Sequence, residues 1–231
     1  MTSANGERIR QEIRSPRSAA VAGIVYSVLM FVVMIVTRGF TAERAGQITG
    51  DLLELWTGAA RFAIAIIPFI GIALLWFTGV VREHLGEQED RFFSTIFFGS
   101  SIILIAMLFI WGATMGASFN IVNSAAGRTV NNDIFIFGFT FMNQIIGNYA
   151  LRIAGVYMFS IGTIWTKSRA MPRWLSILTF VVAAGFLLFA NSVREAQFIF
   201  PGWVFVVSVY ILVLNYRLDT EGSIGEDSRT Q

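Results

Sequence analysis

The sequence predicts an all-α protein, a polytopic transmembrane bundle of about six spans, and three observations lead there. Hydrophobic residues fill 55% of the 231 positions and charged residues 14%, whereas a soluble domain carries about a quarter charged. The charges gather in short clusters and leave six apolar runs near the ~20 residues that a helix needs to cross hydrocarbon. Those runs are continuous and do not alternate with period 2, which sets aside a β-barrel.

Composition narrows the chemistry as well. The formal net charge of +2 is spread among the loops, so nucleic-acid binding has no support. Without a cysteine the chain builds no disulfide, thiolate metal site or Fe–S cluster. With one histidine it builds no bis-histidine haem or multi-histidine metal centre by itself.

In chain order, residues 1–17 form a polar tail without apolar periodicity. The first span covers 18–37, too long for the apolar core of a signal peptide and without a small-residue cleavage motif after it. Residues 38–57 place Ala45, Ile48, Leu52, Leu55 and Trp56 at helical spacing among charges, which predicts an interfacial amphipathic helix with Trp56 at headgroup level. The second span, 58–81, carries Arg61 in its first turn, Ala59 and Ala63 for close helix contact, and Pro68 near its middle, where a kink is expected.

A densely charged turn follows. His84 with Glu83 and Glu87 outlines half a metal site at most, and one imidazole on a solvated loop reads better as part of a charge-paired surface. The third span, 92–118, holds Gly112 and Gly116 with Ala113 and Ala117, overlapping small-residue pairs that predict a packing face. After a polar loop, the fourth span occupies 134–165, longer than the hydrocarbon core is thick, so it must tilt, project or kink at Gly147. The fifth span is 174–190 and the sixth 198–216, with Pro201 near its start and Trp203 expected at the interface; 217–231 is a polar tail.

An even number of spans puts both termini on one side. Placing them inside gives the cytoplasmic side eleven Lys and Arg residues and the outer side five, in the direction of the positive-inside rule.

The fourth span supplies the functional lead. Its stretch TFMNQIIGNYALR sets Thr140, Gln144, Asn148 and Arg152 four apart, one stripe of a helix. A guanidinium and amides in hydrocarbon are costly unless they face protein or water. No span contains an Asp or Glu to pair with Arg152. Three readings stand: glue between helices, an outward-facing polar pocket for a small anionic or amphipathic ligand lined by Gln144, Asn148, Arg152 and Arg61, or contact with a lipid headgroup, a partner membrane protein or another copy.

Catalysis has less to work with. There is no HExxH, GxSxG with a partnered His, or phosphate-binding glycine loop, and the only lysine, Lys167, lies among arginines at a span end. No cofactor is identified and no metal site is expected. The segment REHLGEQEDRFFSTIFFGSS at 82–101, followed by IILIAMLF, resembles segments of uncharacterised bacterial multi-span membrane proteins. That resemblance implies a bacterial cytoplasmic membrane and no residue role. The sequence therefore leads with a non-enzymatic membrane protein that binds or passes a ligand, and second with a structural or accessory subunit held through the same stripe.

Overall fold

The computed structural model describes residues 16–40, 51–84, 91–124, 132–168, 171–190 and 194–227. Their order is α1 (Pro16–Thr37), α2 (Asp51–His84), α3 (Arg91–Ser124), α4 (Asn132–Gln144), a π-helical turn (Ile145–Ala150), α5 (Leu151–Ser168), α6 (Arg173–Phe189), a 3-10 turn (Arg194–Phe198) and α7 (Ile199–Asp227). Helix α4, the π turn and α5 run on as one rod, so the described residues make six rods and no strand. Five rods are long and apolar enough to cross a membrane, the pattern of a multi-pass membrane protein; α6 is apolar but shorter.

The rods pack largely in chain order. Helix α1 lies against α2 and α7, α3 against both α2 and the fourth rod, and α6 against α5. Small residues set the approach. A Cβ on Gly112 would stand 2.7 Å from Ile67 Cδ1, and one on Gly116 3.3 Å from Ile64 Cδ1, so the small face of α3 is filled by α2. On α5, Gly155 brings the backbone close enough that a Cβ would sit 3.0 Å from the Ala183 carbonyl oxygen of α6.

Two aromatic clusters mark two levels of the bundle. At one end Phe40, Trp56, Phe119 and Phe139 form a knot, with ring centroids 5.0 to 6.2 Å apart. The same end carries the exposed ion pair of Arg38 and Glu195, 3.2 Å. Deeper in, Tyr157 meets Phe97 at 4.4 Å, Phe200 at 5.6 Å and Trp203 at 6.3 Å, and its hydroxyl shares a 3.0 Å hydrogen bond with Thr78. The opposite end is cationic: Arg82 donates to Ser94 Oγ at 3.0 Å and lies over Phe98, while Lys167 lies over Phe93.

Trp203 is buried, and its indole N–H donates to Thr179 Oγ1 at 2.9 Å. Trp56 is likewise buried, in the aromatic knot at one end of the bundle. The amphipathic helix expected over 38–57 falls largely outside the described residues, and its last part, 51–57, is continuous with α2. Pro68 lies inside α2, with helix on both sides of it. The turn built from Glu87 and its neighbours, the loop after Ser124 and most of the N-terminal tail also lie outside the described residues.

Candidate functional site

The fourth rod changes helical pitch where its polar stripe lies. Buried positions step from Phe139 to Met142 and Ile146, then to Leu151, Ala154 and Met158. The five-residue step from Ile146 to Leu151 is too long for an α-helix, and the π turn absorbs it. Gly147, the place for a kink if the long span neither tilted nor projected, lies in that turn. The extra residue lets α4 and α5 bury different registers against the same neighbours.

The polar stripe occupies the other side of the turn. Gln144 and Arg152 are exposed and Asn148 is half-buried. Arg152 Nη1 donates to Asn148 Oδ1, and Asn148 Nδ2 donates to Gln144 Oε1 at 3.5 Å. The three side chains thus form a ladder along the rod, with every donor on the Arg152 side of its acceptor. Thr140, the first member of the stripe, is also exposed, and no hydrogen bond continues the ladder to it among the described residues. One N–H of the guanidinium is used; its Nε and Nη2 edge makes no hydrogen bond or ion pair among the described residues.

The structure does not bring Arg61 to this ladder. Arg61 is exposed on α2, and α3 packs against both that helix and the fourth rod. The enclosed space in the bundle is separate again. An apolar slit of about 50 Å³ lies behind the π turn, where Ile146 and Ala150 meet Tyr26, Met30, Leu104 and Gln197. None of Gln144, Asn148, Arg152 or Arg61 lines it.

The depth of Arg152 in the bundle follows from the cross-links. Tyr157 is level with Thr78, which stands one turn, about 6 Å, from Arg82 at the cationic end. On its own rod Arg152 stands fifteen residues, about 22 Å, from Lys167 at that end. In the other direction Phe139, in the aromatic knot, is thirteen residues and about 20 Å away. Arg152 therefore lies midway along the bundle, on its outer surface.

Exposed aromatics flank it, which sequence reading did not single out. Phe141, Tyr149 and Phe159 are all exposed on the same rod. Helical spacing was the available signal, since Tyr149 and Phe159 stand three before and seven after Arg152. Protein-family models, curated proteins and solved structures offer no match to this chain, so the site rests on its geometry. Among the described residues no group of three or more His, Cys, Asp or Glu stands together to hold a metal ion.

Proposed function

We propose that this chain is a non-enzymatic, multi-pass membrane protein whose polar ladder on the fourth rod recognises an anionic or hydrogen-bond-accepting group from outside the chain. The observation that carries this reading is an exposed, singly hydrogen-bonded guanidinium midway along an apolar bundle. An Arg at the centre of a bilayer costs about 3 kcal/mol by insertion measurements, and far more on an isolated helix in simulation. A ladder that served only as internal glue would be turned inward. This one is turned outward, so the accessory-subunit reading gains over the ligand-pocket reading, which the apolar slit does not serve.

The same proposal sets the frame. All six rods span, α6 included, with Arg38 and the aromatic knot outside, Arg82 and Lys167 inside, and both termini in the cytoplasm. The basic residues favour that orientation by eleven to five. The membrane is a bacterial cytoplasmic one.

Native mass spectrometry of the membrane-extracted protein tests the reading. Arg152→Leu is expected to lose a species that the wild type retains, a lipid, small anion or second polypeptide, without losing thermal stability. Identical retained species, together with a lowered melting temperature, would return the ladder to a purely internal role.

A further inference from the structure

We infer that the occupant of the Arg152 ladder is a transmembrane helix of a different protein, carrying a carboxylate at mid-membrane depth. This rests on the proposed function above and deepens it by naming the partner's chemistry.

Three classes of occupant compete for the face, and the geometry separates them. In a symmetric dimer of this chain each patch meets its own copy. Arg152 would then face Arg152, and the amide donors that crown the ladder would face one another. The rod has no Asp or Glu between Asn132 and Ser168 beyond Asp133 at its start, and Glu195, on the 3-10 turn that packs against the π turn, is already paired with Arg38. A like pair of guanidinium groups in a low dielectric repels strongly, so a second copy is disfavoured.

A lipid phosphate has the right charge at the wrong level. Arg152 stands about 22 Å from Lys167 at the cationic end and about 20 Å from the aromatic knot, against a hydrocarbon half-thickness of about 15 Å. Snorkelling would extend the side chain toward a rim. Here the guanidinium is held back along its own helix by Asn148. That bond uses Nη1 and leaves the Nε and Nη2 edge open, the edge that a carboxylate grips with two parallel hydrogen bonds.

A helix carrying Asp or Glu delivers that carboxylate at this depth without dragging a headgroup inward. The rest of the face suits a helix too. Phe141 and Tyr149 stand exposed on the Asn148 side of the charge, large rigid side chains beside one polar anchor, while on its other side Phe159 packs edge-on against Phe180 of α6. The pairing would leave no charge facing hydrocarbon on either partner.

The test uses the full chain in phosphatidylcholine vesicles with synthetic single-span helices of Leu and Ala. The probes carry Glu, Leu or Lys at the centre, and association is read by fluorescence energy transfer at pH 8. The wild type is expected to bind the Glu helix at least about tenfold more tightly than the Leu helix. Arg152→Leu and Arg152→Gln should each abolish that preference, the latter keeping a polar side chain should the former misfold, and Arg152→Glu should transfer it to the Lys helix. Equal binding of the Glu and Leu helices by the wild type overturns the inference, as does a preference that survives both neutral substitutions. So does selective retention of phosphatidylglycerol that Arg152→Leu abolishes, or cross-linking of Tyr149→Cys to a second copy. Those last two results move the face to a headgroup or to self-association and leave the proposed function standing. If no helix, lipid or self-contact responds to Arg152, the proposed function fails as well.

Discussion

Tyr157 and Arg152 stand five residues apart on one rod and solve the same problem in opposite ways. Tyr157 is buried among three aromatic rings and satisfies its hydroxyl on Thr78, a neighbouring helix's side chain. Arg152 is exposed and satisfies one N–H on its own helix. Interhelical hydrogen bonds in membranes are worth about 0.6 to 2 kcal/mol, so Tyr157→Phe should destabilise the isolated protein by about 1 kcal/mol. Arg152→Leu removes no interhelical hydrogen bond or ion pair among the described residues and should leave stability in detergent unchanged or slightly raised. Thermal unfolding of both variants in the same detergent checks the contrast; a larger loss for Arg152→Leu would show that its role is internal.

The π turn is the element on which this division depends. It spends one extra residue so that Phe139 and Ile146 above, and Ala154 and Met158 below, all reach the core. Deleting Gly147 would shorten the Ile146–Leu151 step to four residues, which an α-helix bridges, so the second half of the rod keeps its buried face and Tyr157 its place at Thr78. Only the ladder changes, with Gln144 and Asn148 then three apart and not four. Size-exclusion chromatography of this deletion should keep the monodisperse folded species, whereas inserting one Ala after Ala154, where no π turn absorbs it, should lose it. Glycines elsewhere divide by what stands opposite them. Gly155→Ala presses on the Ala183 carbonyl, backbone that cannot swing aside, and should cost about 1 to 3 kcal/mol. Gly185→Ala meets open space and should be neutral or stabilising by up to about 1 kcal/mol, as read by melting temperature.

For the molecule as a whole, the two ends differ in chemistry more than in shape. One gathers Arg82, Lys167 and Arg173, the other the aromatic knot with Arg38 and Glu195. The chain has no native cysteine, so single cysteines report orientation cleanly. With a membrane-impermeant maleimide on intact cells, Ser124→Cys should be labelled from outside and Ser168→Cys only after permeabilisation. The reverse pattern would invert the proposed topology.

What the sequence determined by itself was the class and the rods. Continuous apolar runs bounded by charges leave the backbone no way to satisfy its hydrogen bonds except as helices, and the five long spans and the shorter α6 follow within a few residues at most ends. Four-residue spacing also placed Gln144, Asn148 and Arg152 on one stripe, and they are hydrogen-bonded to one another. Periodicity defines a face but not what the face meets. Only the tertiary structure turned that stripe outward, separated Arg61 from it, drew Trp203 and Trp56 inward and set a π turn at Gly147. Each was decided by close packing between rods distant in sequence. Whether Thr179 waits beside Trp203, or a helix covers Arg152, depends on which neighbours the bundle brings together, and no local pattern along one helix contains that.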